Sequence, residues 1–351
     1  MIKIYYPSLD KDIPRGELFP LLKPFIKGES FTDKERIDLY GISDKDYSFV
    51  GDIKTSDLVI LPLSWNHYSR TNTLNVAEDL ILEAHEANKK VYSFMTGDFG
   101  VRISNYDNLV VLRMSGDRSQ LPHNHIGMPV FIQDPIKKGY GDLNHFPEFN
   151  KPSIGFCGQS NHSLINTIQE IVKVLYRNFR FYIGKTKELP QVVMSTSSLR
   201  NRVLNVFKRS ERIKDVFIER EKYRAGVKTQ EDKQRTTEEF YSNIANNEYT
   251  VCVRGAGNFS VRFYETLAMG RIPIFVNTDC ILPLVEQVNW RSHLIWAEKN
   301  QISDLPQKVV GFHSKFTEQD RNAFLQSNRK LWEDYLTMNG YFKNLFSEYA
   351  I

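Results

Sequence analysis

The sequence predicts an α/β protein with two successive doubly wound parallel sheets, a cleft between them, and a helical C-terminal segment. Short apolar, β-prone runs alternate with helical patterns through both halves of the chain. A stretch rich in Gly, Pro and polar residues, 136–152, separates the halves and reads as a linker. At 351 residues the chain is long for one core, and two domains of roughly 150 residues are expected. The division is residues 1–150, 151–319 and a helical 320–351.

In the first half, residues 2–6 read as an opening strand and 57–63 (DLVILPL) as a strand buried on both faces. Residues 74–89 carry a helical stripe of Leu74, Ala77, Leu80, Ile81 and Ala84. Runs at 91–95, 109–114 and 129–132 complete the sheet. In the second half SIGFCG, from Ser153, is a strand ending in glycine. Asn161 or Ser163 would cap a helix over 164–176, and 179–184 reads as the next strand. A helix over 237–245 and a strand at 293–296 bracket the central stretch. Beyond Leu305 the pattern is helical, with 320–336 amphipathic and Gly340 a break.

Hydrophobic residues at 41% and charged residues at 25% describe an ordinary globular composition. A formal charge of +4 is too small to argue for nucleic acid. Cys157, Cys252 and Cys280 are odd in number and sit in apolar segments, so they read as reduced core thiols. The N-terminus lacks the apolar core of a signal peptide, and no run reaches about eighteen apolar residues. A soluble, cytoplasmic protein is the expectation.

The chemistry concentrates in residues 250–290, which read strand, glycine-rich turn, helix, strand. Gly255 and Gly257 let backbone approach a ligand, and the following helix N-terminus favours an anion. Arg254, Arg262 and Glu265 crowd the same turn. The turn GAGNFS is one residue short of the dinucleotide fingerprint, with Ser260 in the third glycine's place and Asp279 about twenty residues on. An oxidoreductase using NAD(P) is therefore one reading. A nucleotide-sugar donor uses every charged group: Arg254 would stabilise the departing diphosphate, Glu265 the ribose hydroxyls, and Arg262 would contact phosphate or orient Glu265.

The pattern C-x-R-G, S-x-R-F-x-E, P-x-F, L-P, N-W resembles the signature of the exostosin family of glycosyltransferases. Here it comprises Cys252, Arg254, Gly255, Ser260, Arg262, Phe263, Glu265, Pro273, Phe275, Leu282, Pro283, Asn289 and Trp290. More loosely, SDLVILPL, VYSFMTGDFG, HNHIGMPVFIQDP and SIGFCGQ are similar to elements of the family's first domain and the start of its second. The resemblance implies a GT-B architecture of two Rossmann-like domains, the first on the acceptor side and the second binding a nucleotide sugar, usually a UDP-sugar. It implies inversion at the anomeric carbon and a glycan or lipid-linked acceptor in polysaccharide synthesis; with Arg254 in the role a metal plays elsewhere, no required metal or cofactor is expected. A lipid-borne acceptor would bring peripheral membrane association. A non-catalytic member that only binds sugar nucleotide is a further alternative. In similar enzymes the final helix returns to the first domain, which this sequence alone leaves open.

Inversion by single displacement needs one general base from the first domain. Asp98, in TGDFG just past the strand at 91–95, has the best position, with Gly97 and Gly100 leaving room for a ligand. The alternative for Asp98 is a turn aspartate bonding its own backbone. His123, His125 and His67 are rivals. Arg220 and Arg224, in IEREKYRAG, resemble a family element, and one of them is expected to reach the donor pyrophosphate. Between residues 200 and 235 twelve basic residues face six acidic ones, which otherwise reads as a solvated helix pair. Phe217 and Tyr223 are too few to form a base-stacking face, so nucleic acid ranks third. Asp10 with Asp12 and Asp44 with Asp46 lie in polar loops, and no metal site is expected from them.

Overall fold

A computed structural model describes residues 1–9, 13–26, 31–143, 151–160, 163–221, 226, 227 and 229–349. The first part runs β1 (Ile2–Tyr5), α1 (Asp33–Tyr40), β2 (Tyr47–Val50), β3 (Leu58–Ile60), α2 (Trp65–Thr71), α3 (Leu74–Glu86), β4 (Val91–Met95), β5 (Leu109–Arg113) and β6 (His125–Gly127). These strands form one parallel sheet of order β2-β1-β3-β4-β5-β6. The chain continues through β7 (Ser153–Gln159), α4 (Leu164–Tyr182), α5 (Thr196–Lys208), β8 (Lys214–Arg220), α6 (Gln230–Ala245) and β9 (Tyr249–Cys252). Then come α7 (Val261–Ala268), β10 (Ile272–Asn277), β11 (Ile295–Glu298), α8 (Leu305–His313), α9 (Glu318–Leu331) and α10 (Met338–Leu345). The second sheet is also parallel, in the order β11-β10-β9-β7-β8. In both sheets the order reverses beside the first strand, the doubly wound pattern whose ligand crevice lies at the strands' carboxyl ends.

The two sheets present those carboxyl ends to each other. Backbone bridges join Asp117 to Cys280, Gly127 to Pro283 and Val101 to Glu188. A Cβ on Gly127 would lie 2.3 Å from the Leu282 carbonyl oxygen, so only glycine permits that approach. Two α/β layers meeting across a cleft give the GT-B arrangement. The final helices tie it together. Leu331 and Trp332 pack with Phe263 and Leu267 of α7 on the second sheet. A π-helical turn, Trp332–Leu336, then redirects the chain. Tyr341, Phe342 and Phe346 are fully buried in the first sheet's core beside Phe19 and Phe94. Each such aromatic contributes roughly 1.5–3 kcal/mol of burial.

Four sequence expectations change. The run 129–132 forms no strand: Pro129 has no N–H for a ladder, and Val130 and Ile132 pack into the core of the second sheet. Residues 179–184 are not a strand, because Phe179 and Tyr182 continue the helical stripe of α4. The basic run is not a helix pair alone, since β8 lies between α5 and α6. It is an edge strand bonded only to β7, and its exposed charges hid its period. Gly340 does not break the helix. Its N–H caps on the Thr337 hydroxyl, and a Cβ there would meet the Asp334 carbonyl at 2.6 Å.

Arg329 of α9 binds Asp134 at 2.6 Å, with both side chains nearly buried. Burial pushes the Asp134 carboxyl up, but the Arg329 hydrogen bonds and charge outweigh it and hold it below the usual carboxylate range. That stabilisation is present above the unfolded pKa near 4 and is lost as pH falls through the lower folded value. Arg329→Ala should therefore cost about 3 kcal/mol in urea unfolding at pH 7, and the gap to wild type should narrow by pH 3.

Candidate active site

The β9–α7 turn starts from a strand buried on both faces: Tyr249, Val251, Cys252 and Val253 are wholly inaccessible. A central parallel strand covered by helices reads as continuous apolar sequence for this reason. At its end Arg254 leaves the sheet beside β7, where the strand order reverses. Arg200 of α5 donates to the carbonyls of Gln159 (3.2 Å) and Arg254 (3.0 Å), fixing the two strand ends together. The Gly255 N–H donates to the Phe259 carbonyl at 3.0 Å and closes the turn.

Arg254 is only 5% exposed. Its Nη2 donates to the Ala256 carbonyl at 3.3 Å, and its Nη1 lies 4.0 Å from Asp117 Oδ1. Its buried Nε has no partner among the described residues. Desolvation lowers its pKa, opposed by Asp117, Cys280 and Asp98. A guanidinium carries five donors, and a buried one with so few engaged is costly unless something anionic completes it. It lines a cavity of about 610 Å³ with Met194, Asn277, Thr278, Glu298 and Lys299.

Asp98 approaches the same turn from the first sheet. Its loop follows β4, Gly97 is left-handed at φ 74°, and the Asp98 carbonyl accepts from the Ser115 hydroxyl at 2.8 Å. A Cβ on Gly257 would meet the Asp98 carboxylate at 2.7 Å. That glycine therefore lets the two halves of the site close on each other. Gly97 has open space beside it, as expected. Gly100 does not: a Cβ there would collide with the Arg113 guanidinium, so it serves packing and leaves no room for a ligand.

Asn258 holds the arrangement together. It is fully buried, and its Nδ2 donates to Asp117 Oδ1 (2.6 Å), Gly116 O (3.3 Å) and Thr278 O (2.8 Å). Its Oδ1 accepts from the Thr278 hydroxyl at 2.6 Å, and its N–H donates to the Ser115 hydroxyl at 2.8 Å. One amide thus positions the Arg254 turn, the Asp117 loop and the end of β10. Asp279, the acid a dinucleotide site would use for ribose, is left-handed (φ 66°), and its carboxylate accepts from the Ser119 N–H and hydroxyl.

The other donor-site expectations separate from Arg254. Ser260 precedes α7 without a side-chain capping bond. The Arg262 guanidinium turns to the sheet, donating to the Cys157 carbonyl at 2.7 Å and lying 4.5 Å over the Phe156 ring. A Cβ on Gly158 would strike it at 2.7 Å. Glu265, one turn further, accepts from the Tyr241 hydroxyl at 3.1 Å, and Tyr241 stacks on Tyr140 at 4.5 Å. Arg220 is paired with Glu239 at 2.9 Å and bonds the Thr236 carbonyl, which holds it to α6. Arg224 lies outside the described residues, as do Asp10 and Asp12. Asp44 pairs with Arg36 at 2.8 Å, and Asp46 accepts from the Ser43 N–H, so both work in a local turn.

The histidines also divide. His67 sits on α2 beside Asn66, whose side chain bonds the Thr96 N–H (3.0 Å) and the Phe99 carbonyl (3.4 Å) of the Asp98 loop. Its buried Nδ1 has no partner among the described residues. His125 is 6% exposed, and burial, with Arg113 and Arg118 adding, pushes its pKa down to about 4. It is a neutral imidazole against Arg113 (3.5 Å) and is not on an acceptor-facing surface. His123 is exposed before β6, at the opposite end of that sheet from the Asp98 loop.

Sequence reasoning missed Asp117, Asn258 and Arg200. Asn258 lay inside the turn that attracted notice, and a buried amide there was the available signal. Nothing local marked the other two.

No family model matches the chain. Over 92 residues it is 27% identical to exostosin-1 of Drosophila melanogaster, covering 26% of this chain and 12% of that protein. Over 98 residues it is 27% identical to an exostosin-1 homolog of Caenorhabditis elegans, covering 28% and 25%. The matched stretch is thus a quarter or less of each relative. Among solved structures, an S. aureus TarM mutant in complex with fondaparinux, α-GlcNAc-glycerol and UDP superposes with a TM-score of 0.34 and 8% identity. It covers 79% of this chain and 54% of that one, and at that score it carries no argument.

Asn258→Ala strips partners from Asp117, Gly116 and Thr278 at once. It should lower stability by about 2–4 kcal/mol in thermal or urea unfolding, whereas an exposed control such as Gln169→Ala should change little.

Proposed function

We propose that this chain is a glycosyltransferase that moves a sugar from a nucleoside-diphosphate sugar, most simply a UDP-sugar, to a glycan or glycolipid hydroxyl with inversion. The observation that carries the reading is Arg254, a buried and under-bonded guanidinium on a cavity at the carboxyl ends of β9–β11, with Asp98 facing it from the other sheet. The quarter-length similarity to the exostosin-1 proteins supports the same class.

In this reading the diphosphate lies against Arg254, whose charge offsets the negative charge growing on the departing group without a required metal. Lys299, on the same cavity, is a second cation for it. Glu265 binds ribose hydroxyls after exchanging its bond from Tyr241. Arg262 acts at one remove, bracing the end of β7 that flanks the site. The acceptor oxygen attacks the anomeric carbon as the bond to the β-phosphate oxygen breaks. Asp98 takes the acceptor's proton, and the nucleoside diphosphate leaves. His67, half-buried on α2 next to Asn66 and so beside the Asp98 loop, is the second candidate base for the acceptor.

Asp98→Asn should keep donor affinity and lower kcat by roughly 10²–10⁴-fold, read from nucleotide release with a panel of UDP-sugars. Full activity would pass the role to His67. Glu265→Ala should instead raise the donor KM or abolish transfer, and unchanged turnover would remove Glu265 from the site.

A further inference from the structure

Helix α4 turns most of its apolar side chains outward. A surface helix normally buries its apolar stripe and shows its polar face to water. Here no residue of the 19-residue helix is buried. Leu164 (83% exposed), Ile165 (68%), Ile168, Val172, Leu175, Tyr176, Phe179 and Tyr182 (75%) all face solvent. At 100° per residue they span an arc of roughly 120°, and the exposed Arg180 and Lys173 follow along one edge.

The opposite face, where Ile171, Val174 and Phe181 are half-buried among polar residues, is the one that holds α4 to the protein. Glu170, the helix's single acid, accepts from the Ser195 hydroxyl at 2.7 Å and from the Ser197 N–H. Asn178 exchanges hydrogen bonds with Gln191. Arg177 stacks on Phe99 at 3.8 Å and pairs with Glu188 at 3.8 Å. Phe99 adjoins Asp98, so α4 reaches across to the loop that carries the proposed base. The segment after it, through exposed Ile183 and Lys185, returns to Val192 and Met194 on the Arg254 cavity.

We propose that the outward face of α4 docks on an anionic lipid surface, lying in the headgroup region with its apolar stripe inserted. Isolated exposed apolar residues need no explanation, but a continuous stripe of this size marks an interaction surface. The charge pattern of the helix selects the occupant. The only acid of the helix is turned inward and bonded, while Lys173, Arg180 and Lys185 are exposed. Aromatic and aliphatic anchors with cations at the margin are the composition of an interfacial helix. Arg177 on Phe99 then sets the Asp98 loop about one helix diameter from the lipid. The docking itself does not depend on the proposed reaction. Its use, presenting the cleft to a hydroxyl acceptor carried on a lipid, rests on that reading.

The test is co-sedimentation of the full chain with phosphatidylglycerol vesicles and with phosphatidylcholine vesicles, without donor. We expect at least tenfold tighter binding to the anionic vesicles, weakened by salt. Ile168→Asp combined with Phe179→Asp should lose that binding, and Lys173→Glu with Arg180→Glu should lose its anionic preference. Both variants should keep the wild-type unfolding temperature and any nucleotide-induced shift, which separates a failure here from a failure of the transferase reading. Wild-type protein that ignores phosphatidylglycerol vesicles, or binding that survives both double variants, would overturn the proposal. So would a dimer in sedimentation velocity that Ile168→Asp with Phe179→Asp splits, which would make the face a contact between two copies.

Discussion

A positive charge buried at the seam between two sheets sets the terms for the rest of this site. Arg254 has left water, but its neighbours take up few of its donors, and Asp117 stands at 4.0 Å instead of in close contact. The surrounding structure keeps it there. Asn258 bonds Asp117, Gly116 and Thr278, Arg200 bonds the Arg254 carbonyl, and Ser119 bonds Asp279. A preorganised, desolvated charge of this kind costs little to reorient when negative charge develops beside it. Stability and function are therefore coupled in the same few hydrogen bonds.

The carboxyl ends of both sheets could have been left apart, with a mobile hinge between them. Instead the chain crosses the seam repeatedly: by backbone bridges at Cys280 and Pro283, by the Val101–Glu188 bridge, and by the closing helices that move from the core of the second sheet to that of the first. Gly127 and Gly257 are the positions where side chains had to be absent for this closure. The cleft is narrow at the Asp98–Gly257 contact and opens toward the Arg254 cavity.

Local patterns made much of this legible. The α/β alternation, the β9–α7 turn with Arg254, and Asp98 at the end of β4 each depend on a few consecutive residues. What failed depended on distance. Asn258 and Asp117 are 141 positions apart, and no spacing announces their bond. Arg262 and Glu265 share a helix turn, yet one donates to the Cys157 carbonyl of β7 and the other meets Tyr241 of α6, partners distant in sequence. Arg220 satisfied the motif but is consumed by Glu239. The run at 179–184 looked like a strand because a buried strand and an exposed helical stripe share the same residue types over a few positions.

The Arg254 cavity is proposed to receive a nucleoside diphosphate. The most direct measurement is thermal unfolding of wild-type and Arg254→Ala protein with UDP, GDP, CMP and NAD in separate samples. Ligand at about a hundred times its dissociation constant adds roughly 2.7 kcal/mol. A nucleotide held by Arg254 gives a shift with UDP that disappears in Arg254→Ala. A shift with NAD alone, or a UDP shift indifferent to Arg254, would contradict it.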